Sequence, residues 1–460
     1  MTIDKSLVPG GRAGLATRSN PDPPPATSFF TDRYELTMLD AALQSGRAAC
    51  PAVFEVFTRR LPDRRPWGVF AGLGRLLDAL EEFRFGDPEL TWLEANSVVS
   101  PPALEWLSRY RFTGHIDAYR EGELYTAGSP VLTVEGGFAE SVLLETLALS
   151  ILNFDSAVAT AASLITSAAG ERPVIEMGSR RIDPNAAVAA ARAAYLAGFA
   201  STSNLEAGRR YGVPTAGTAS HAFVLAYPGE REAFSAQVAA FGPSTTLLVD
   251  TYDIAEGICN AVEVAGARLG AVRIDSGDLG REAARARAVL DSNGARSAKL
   301  VVTGDLDAHS IAALGAAPVD AYGVGANVVT GMGSPTAGFV YKLVAIGDPG
   351  EPLGAPLRPV AKRSAGKRSF GGRKWAWRAF LDEPPARAEV GAPSDAGPVW
   401  ADIVSTSPNT PPHGARPLQE RVVEGGRVGV QPSLEEVRAW HAGLKREVGP
   451  EDPLLLDRRS

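Results

Sequence analysis

Between residues 174 and 324 the chain alternates short apolar segments with longer helical stretches, and this alternation constrains the fold more than any other feature. Short strands that alternate with helices are typical of parallel sheets, because parallel neighbours need crossover connections. The architecture is therefore α/β, either an irregular barrel or a doubly wound sheet. The predicted strands are Val174–Met177, Thr215–Gly217, Thr245–Val249, Val272–Ile274, Lys299–Val302 and Ala321–Val324.

A cluster of small or charged residues follows each predicted strand. One such cluster is ordinarily turn chemistry, but all six fall at the same point of the repeat. In a barrel these strand ends meet at one mouth, where barrel enzymes carry their chemistry, and a doubly wound sheet also aligns them. The clusters are Gly178–Arg181, Gly217–Thr218 with His221, Asp250–Asp253, Asp275–Asp278, Thr303–Asp305 and Gly323–Gly325.

The fourth strand and its cluster, residues 271–279, form the most informative segment. Arg273 and Asp275 lie on one face near the strand end, and Ser276 and Gly277 lead to Asp278, a helix-capping residue. A guanidinium beside the N-terminus of a helix suits an anionic ligand such as phosphate or carboxylate. An Arg–Asp ion pair with an ordinary helix cap would give the same pattern, so the segment alone leaves both interpretations open.

The sequence pattern changes on either side of the repeat, which predicts a second domain. At 460 residues the chain is too long to fold around one small hydrophobic core. Residues 1–27 resemble a disordered tail, and residues 28–155 mix helices with short strands as the N-terminal part of a flanking α/β domain. Residues 156–347 form the predicted barrel, and residues 348–460 complete the flanking domain. A long apolar helix, residues 140–169, is predicted to be buried between layers.

Composition narrows the class of protein. The chain is 45% hydrophobic and 22% charged, which is typical of a globular protein. A net charge of −7 argues against general nucleic-acid binding. Two cysteines exclude a disulfide framework, and we expect no apolar run long enough to span a bilayer. Without a signal-peptide core in the tail, the expected location is cytoplasmic.

A basic, aromatic segment at residues 358–378 is an exception to this acidic balance. It contains eight Lys or Arg residues and no acid, interleaved with Phe370, Trp375 and Trp377. Taken alone the pattern would indicate a nucleic-acid site. In an acidic chain it favours a phosphate-binding rim or a solvated hairpin.

The residue types at the predicted mouth suit a phosphorylated sugar. Arg180, Arg181 and Arg273 can form forked hydrogen bonds to phosphate or carboxylate. Glycines in the turns at Gly304–Asp305 and Gly323–Gly325 leave backbone N–H groups open to a phosphate. The sequence has no P-loop, no dinucleotide fingerprint and no zinc-like spacing. The predicted ligand is a sugar phosphate or phosphoribosyl diphosphate. Four carboxylates could hold the magnesium ion or the ribose hydroxyls of this ligand: Asp250, Asp253, Asp275 and Asp278.

His221 is the histidine, of five, placed just after a predicted strand end. Small neighbours in Thr218–Ser220 leave its imidazole accessible for proton transfer or covalent phosphorylation. A lone histidine is more often structural, and that interpretation stays open here.

At these motifs the sequence resembles the nicotinate phosphoribosyltransferases of the type II phosphoribosyltransferase group. The motifs are ordered along most of the chain, which makes the resemblance specific. They are Thr31–Met38, Gly178–Arg181, Gly198–Phe199 with Thr202–Asn204, Gly217–His221, Val249–Asp253, Arg273–Leu279, Val340–Val344 and the segment 362–378.

The resemblance implies a reaction and a set of site residues. The family joins nicotinate to 5-phosphoribosyl 1-diphosphate with Mg²⁺, giving nicotinate mononucleotide and diphosphate in NAD biosynthesis, and couples this to ATP hydrolysis through a phosphohistidine. The resemblance implies that His221, Arg273 and Asp275 are catalytic residues and that His221 is phosphorylated. The implied substrate-binding residues are Tyr34, Arg180, Thr218, Arg273, Ser276, Gly304, Asp305, Gly323 and Gly325. The family fold is an irregular, TIM-like α/β barrel with a second α/β domain built from both chain ends. It implies a homodimer in which the N-terminal tyrosine reaches the neighbouring site, and no nucleic-acid or membrane partner.

Two departures from the family pattern concern affinity. Ala326 stands where many relatives have Thr, which removes a hydroxyl donor to phosphate. Met177 stands where an aromatic residue often stacks on the pyridine ring, so stacking rests on Tyr34.

Three other functions remain as alternatives. The nicotinamide-using relatives place Asp where this chain has Ser203, which favours the acid substrate. A quinolinate-using enzyme needs further cations for a second carboxylate, which Arg181 could supply. A non-catalytic sensor of phosphoribosyl diphosphate or NAD-pathway metabolites is disfavoured because both His221 and Arg273 are present.

Overall fold

The computed structural model describes residues 26–62, 65, 67–362, 370–381, 399–407 and 413–448. The predicted tail, residues 1–27, lies outside the described residues except for its last two. The strands are β1 Pro51–Thr58, β2 Gly68–Val69, β3 His115–Tyr119, β4 Leu124–Tyr125, β5 Leu132–Gly137, β6 Val174–Glu176, β7 Ser201–Thr202, β8 Thr246–Leu248, β9 Ala271–Ile274, β10 Lys299–Gly304, β11 Ala321–Val324, β12 Phe339–Ile346, β13 Arg358–Pro359, β14 Trp375–Leu381, β15 Val399–Ser405, β16 Arg416–Pro417, β17 Gln419–Glu424 and β18 Arg427–Val428. The helices are α1 Arg33–Gln44, α2 Leu73–Glu81, α3 Asp87–Ala95, α4 Pro101–Ser108, α5 Phe138–Val142, α6 Glu145–Ala169, α7 Pro184–Leu196, α8 Leu205–Tyr211, α9 His221–Leu225, α10 Glu230–Phe241, α11 Ile254–Ala265, α12 Leu279–Ser292, α13 Ala308–Ala313, α14 Ala326–Val329 and α15 Leu434–Val448.

The parallel repeat folds into a six-stranded sheet in the order β7-β6-β11-β10-β9-β8. Strands β8 to β11 are neighbours in chain order, and β11 then pairs in parallel with β6. A sheet that returns to its first strand in this way is curled as in a barrel, which confirms the predicted irregular α/β barrel. The strand predicted at Thr215–Gly217 was wrong, because it makes only a single parallel bridge from Thr202 to Thr215. The described sheet therefore leaves its wall unpaired between that bridge and β8.

A second sheet of seven strands is built from both ends of the chain, in the order β13-β12-β1-β5-β3-β17-β18. The C-terminal strand β17 pairs antiparallel with β3, and β12 pairs antiparallel with β1. These pairings confirm the flanking α/β domain made from N- and C-terminal parts. They also place β12 in the flanking sheet, although its residues fall within the range predicted for the barrel. The strand β1 is buried along its whole length.

The long helix α6 joins the two cores. Leu147 and Leu152 pack in the core of the seven-stranded sheet, whereas Val158 and Ile165 pack in the core of the parallel sheet. By length and apolar composition alone the stretch Phe138–Ala169 could cross a bilayer, so the expectation that no run is long enough was wrong on that criterion. Its most apolar window is 61% buried within the protein, and core helices commonly pass the same test.

The C-terminal helix α15 is anchored on α6 by a buried histidine. His441 Nδ1–H donates to Gly122 O over 2.8 Å, and Nε2 lies 2.9 Å from Ser163 Oγ. Complete burial lowers the pKa of His441 to about 4, because the charged imidazolium would lose its hydration there. The folded protein therefore keeps this histidine neutral.

Three cations of the basic segment, Arg373, Lys374 and Arg378, form ion pairs inside the molecule. Arg373 pairs with Asp117 and Glu135, and Arg378 is buried between Glu123 and Asp402. Arg373 fastens the start of β14 to β3 and β5 of the seven-stranded sheet, whereas Arg378 joins β14 to β15 and to the residue before β4. The strand β14 pairs with β15 in a hairpin, but the predicted solvated hairpin is wrong at Arg378, which is buried. These two cations are not exposed on a phosphate-binding rim either. Residues 363–369 of the segment lie outside the described residues.

Candidate active site

The guanidinium of Arg273 is fixed at the end of β9 by three different groups. Nε donates to Thr303 Oγ1 over 2.8 Å, Nη1 donates to Thr218 Oγ1 over 2.8 Å, and Nη2 donates to Asp275 Oδ1 over 2.9 Å. Nη1 makes a further 3.4 Å contact with Ala219 O. Among the described contacts, one N–H of Nη2 has no partner. Arg273 thus presents a fixed positive charge and one N–H that can bind a ligand.

Asp275 is held as a carboxylate beside this edge. Partial burial by itself would raise its pKa, but hydrogen bonds from Thr303 and Arg273 and the charge of Arg273 outweigh burial, and the pKa is lowered below its ordinary value. The Thr303 hydroxyl donates to the same carboxylate, and Thr303 is itself buried. The predicted Arg273–Asp275 pair is therefore confirmed as geometry, within a larger network.

A polar cavity of about 220 Å³ lies at the C-terminal ends of the parallel strands. It brings together the side chains of three arginines and the glycine turns that follow β10 and β11. Its lining residues are Met177, Arg180, Arg181, Arg273, Asp275, Thr303, Gly304, Asp305, Gly323, Gly325 and Ala326. Predicted clusters after four strands thus meet at one mouth. We call this space the polar cavity.

The floor of the polar cavity has no room for larger side chains. A Cβ on Gly323 would lie 2.5 Å from Thr303 Cγ2 and 2.8 Å from Met177 Sδ. The turn after β6 is equally tight, since a Cβ on Gly178 would lie 2.3 Å from Val329 Cγ1. Glycine therefore lets the backbone at both positions lie close to its neighbours.

A buried carboxylate, Glu176, holds the turn that carries the two neighbouring arginines. It accepts hydrogen bonds from Gly178 N and from the hydroxyl of Thr202, and burial raises its pKa. Asn204 Nδ2 donates to Ser179 Oγ over 3.0 Å on the other side of the turn. Sequence reasoning missed Glu176; its signal was a single acid within an otherwise apolar strand.

His221 lies at the start of α9 and pairs with Asp250. Nε2 is 3.0 Å from Asp250 Oδ1, and the imidazole is 40% exposed whereas the carboxylate is 1% exposed. Asp250 Oδ2 accepts from Asp275 N over 2.9 Å and from Ser276 Oγ over 2.8 Å. Asp250 thereby links His221 to the segment that carries Asp275. No described contact occupies His221 Nδ1.

The four candidate aspartates divide by role. Asp253 and Asp278 cap helices: Asp253 Oδ1 accepts from Glu256 N and Asp278 Oδ1 accepts from Arg281 N. The predicted capping role of Asp278 is confirmed. Asp250 is occupied as described, so Asp275 is the one of the four that lines the polar cavity.

Three predicted substrate residues lie outside the lining of the polar cavity. The Ser276 hydroxyl is directed to Asp250, and Thr218 contacts Arg273 from the adjoining loop. Tyr34 is 45% exposed on α1, and burial together with the nearby carboxylate of Glu145 raises its pKa to about 12. Its described contacts are with the start of α6, not with the cavity residues of the same chain.

The geometry can be compared with known proteins. Residues 29–153 match the nicotinate phosphoribosyltransferase (NAPRTase) N-terminal domain, and residues 158–331 match the quinolinate phosphoribosyl transferase C-terminal domain. Nicotinate phosphoribosyltransferase pncB1 of Mycobacterium tuberculosis H37Rv is 55% identical over 456 residues, covering 97% of this chain and 96% of that protein. The chain belongs to the nicotinate phosphoribosyltransferase family.

Proteins with lower sequence identity also match over most of this chain. The human protein of that name is 32% identical over 424 residues, covering 77% of each chain. The crystal structure of human nicotinic acid phosphoribosyltransferase superposes with a TM-score of 0.73 at 28% identity, covering 92% of this chain and 95% of that one. A nicotinate-nucleotide pyrophosphorylase from Pyrococcus furiosus shares the fold, with a TM-score of 0.73 at 23% identity.

Proposed function

We propose that this member of the family catalyses phosphoribosyl transfer to nicotinate, with ATP hydrolysis coupled through His221. The observation that carries the proposal is the position of Arg273, a fixed guanidinium at the edge of a polar cavity lined by two more arginines and glycine turns. Arg273 can bind a carboxylate at the edge of the cavity while the other lining residues bind phosphates. The names of the relatives suggest nicotinate as the substrate that carries the carboxylate.

The carboxylate of nicotinate is assigned to Arg273. The one N–H of Nη2 without a described partner can form a charge-assisted bond to a carboxylate, and the Thr218 hydroxyl adjoins the guanidinium. A neutral carboxamide would gain less from the same cation. This difference supports nicotinate over nicotinamide, and Ser203 supports it further because no acid stands there to accept an amide hydrogen.

The phosphoribosyl group is assigned to Arg180, Asp275 and the backbone of Gly304, Asp305, Gly323 and Gly325, which line the same cavity. The pyridine nitrogen forms a bond to C1 of the ribose while the bond to diphosphate breaks, and the leaving oxygen takes the electron pair. Ribose develops positive charge in this step, so Asp275 can stabilise the ring and the arginines can stabilise the departing diphosphate. No strong base is required, because the ring nitrogen is already nucleophilic.

The described residues fit Mg²⁺ held mainly by the substrate. Asp275 and Asp305 both line the polar cavity, and no group of three His, Cys, Asp or Glu side chains suited to a metal occurs among the described residues. Protein Mg²⁺ sites commonly use one or two carboxylates with substrate phosphates. Bound there, Mg²⁺ would neutralise charge on the diphosphate.

The pairing of His221 with Asp250 supports the phosphohistidine. With Nε2–H donated to Asp250, the lone pair of Nδ1 is free to attack the γ-phosphorus of ATP. A P–N bond forms, the bond to the bridging oxygen breaks, and ADP leaves with the electron pair. Water later takes the phosphoryl group, which restores neutral His221 and releases phosphate.

A homodimer would supply the residue missing from the polar cavity. Tyr34 and Phe30 are exposed on the flanking domain, and Met177 lies where a ring could cover nicotinate. We assign Tyr34 to the site of a second copy, where it would stack on the pyridine. A reducing, cytoplasmic setting is in keeping with the two free thiols, Cys50 and Cys259.

The direct test offers nicotinate, nicotinamide and quinolinate separately with phosphoribosyl diphosphate and Mg²⁺, with and without ATP. Product from nicotinate, increased by ATP, is expected. A preference for nicotinamide would overturn the assignment of Arg273 and Ser203. No product from any base would favour the sensor function instead.

A further inference from the structure

A second cavity, of about 610 Å³, lies in the unpaired part of the barrel wall. One side is the loop Gly217–Ala219 that follows the single bridge at Thr215, and the other side is Ser244–Thr245 just before β8. Phe223 of α9 and Gln237 and Phe241 of α10 complete the lining. We call this space the wall cavity. None of its lining residues is assigned to the proposed reaction except Thr218.

The wall cavity selects against charged ligands. Its lining residues include no Lys, Arg, His, Asp or Glu, whereas the polar cavity has three arginines and two aspartates. A phosphate or a carboxylate would lose hydration there without gaining a cation. Two phenylalanine rings face the same space, and such rings favour a flat aromatic ligand.

Gln237 adds one specific requirement. The residue is 6% exposed, and both hydrogens of Nε2 are used, over 3.0 Å to Thr245 Oγ1 and 2.9 Å to Thr246 O. These two bonds fix the orientation of the amide. Oε1 is therefore a positioned acceptor without a partner among the described contacts, and it can accept a hydrogen bond from an N–H donor on a ligand.

We propose that the wall cavity binds an uncharged heteroaromatic ring that carries an exocyclic N–H donor, which Gln237 Oε1 accepts. Two sources have that chemistry: the adenine of ATP, which the proposed reaction consumes, and a pyridine carboxamide such as nicotinamide. The adenine source rests on the proposed ATP coupling. Ala219 is two residues from His221, at most about 7 Å along the chain, so a nucleotide held by its base here could direct its phosphates to the imidazole.

The test measures equilibrium binding of adenosine and of nicotinamide, separately, to the full-length protein and its variants. Gln237→Leu removes the acceptor at nearly constant volume, and Phe241→Ala removes a 76% exposed ring that folding does not require. Phe370→Ala, an 82% exposed ring outside the cavity, is the matched control. We expect Gln237→Leu to weaken binding about tenfold and Phe241→Ala about threefold, with Phe370→Ala unchanged.

Measuring adenosine and nicotinamide separately distinguishes the two sources of the bound ring. An effect confined to adenosine assigns the nucleobase, and one confined to nicotinamide assigns the carboxamide. The proposal is overturned if neither molecule binds at millimolar concentration, or if both variants bind as wild type does. Nicotinate-dependent product formation, measured on the same preparations, reports on the proposed function separately, so either can fail while the other stands.

Discussion

Asp250 contacts His221 with one carboxylate oxygen and the Arg273–Ser276 segment with the other. Oδ1 lies 3.0 Å from His221 Nε2, and Oδ2 accepts from Asp275 N and Ser276 Oγ. The residue proposed to receive a phosphoryl group is thus joined, through one nearly buried side chain, to the residues proposed to bind nicotinate and ribose. This contact is a physical route by which ATP chemistry could affect phosphoribosyl transfer.

Replacing His221 by Ala should separate the two activities. The variant is expected to lose ATPase activity and stimulation by ATP, because no other described group offers a free nucleophilic nitrogen beside Asp250. Slow nucleotide formation should remain, since Arg273 and the polar cavity are unchanged. His413→Ala, an exposed histidine elsewhere, is the control. Full ATP stimulation in His221→Ala would show that the phosphohistidine assignment is wrong.

Asp250→Asn should impair phosphorylation through the wrong tautomer. The two donors at Oδ2 require an acceptor there, so the amide nitrogen of the substituted side chain would face His221. Nε2 would then accept a hydrogen bond and Nδ1 would carry the proton, which removes the nucleophilic lone pair. We expect the rate of ³²P incorporation from γ-labelled ATP to fall at least a hundredfold. An unchanged labelling rate would place the reactive nitrogen at Nε2.

Arg273→Lys should raise KM for nicotinate by about tenfold to a hundredfold, because an ammonium cannot reproduce the three fixed bonds of the guanidinium together with its remaining N–H. Steady-state kinetics with nicotinate and with phosphoribosyl diphosphate varied in turn measure the effect. The KM for phosphoribosyl diphosphate should change less. Equal increases in both would mean that Arg273 contacts the phosphates as well.

Gly323→Ala should weaken phosphoribosyl diphosphate binding without affecting the flanking domain. The added methyl group would press on Thr303 and Met177 in the floor of the polar cavity, a clash that typically costs about 1–3 kcal/mol. A rise in KM for phosphoribosyl diphosphate is expected. Gly280→Ala is the matched control, since its Cβ would meet Leu314 Cδ2 at an ordinary 3.6 Å. Wild-type kinetics in Gly323→Ala would contradict the assigned position of the phosphates.

His441 predicts a loss of stability in acid. Its pKa is about 4 in the folded protein and near 6.5 when unfolded, so the unfolded chain binds more protons between these values. The free energy of unfolding should fall as pH decreases from about 6.5 to 4, by roughly 3 kcal/mol from this group. Urea unfolding of His441→Gln should show a flatter pH dependence over that range, whereas His413→Gln should match wild type. Identical slopes in His441→Gln would rule out this origin.

Much of the fold could be predicted because the parallel strands are apolar and regularly spaced. The prediction failed at segments that are too short for the spacing of apolar residues to be informative. Thr215–Gly217 looked like a strand but forms one bridge, and β7, with two residues, is too short to show a period. The open wall that results, and with it the wall cavity, could not be inferred from the sequence.

The site was predicted as a set of residue types at strand ends, and the structure places most of them together. The sequence could not separate a capping aspartate from a ligand, because both precede a helix; Asp253 proved to be a cap. Local sequence pattern also could not show that Tyr34 lies outside the lining of the polar cavity of its own chain, and only the family resemblance implied that it reaches a neighbouring site. Glu176 was missed because its partners, Gly178 and Thr202, come from two strand ends.

The central claim is that nicotinate phosphoribosylation and ATP hydrolysis occur in one coupled cycle. The most direct measurement follows nicotinate mononucleotide and ADP together, in one reaction with nicotinate, phosphoribosyl diphosphate, Mg²⁺ and ATP. We predict that both products form, that omitting ATP leaves a slower formation of the nucleotide, and that His221→Ala matches that slower rate. Absence of nicotinate mononucleotide under all conditions, or ADP production unaffected by the loss of His221, would contradict the account.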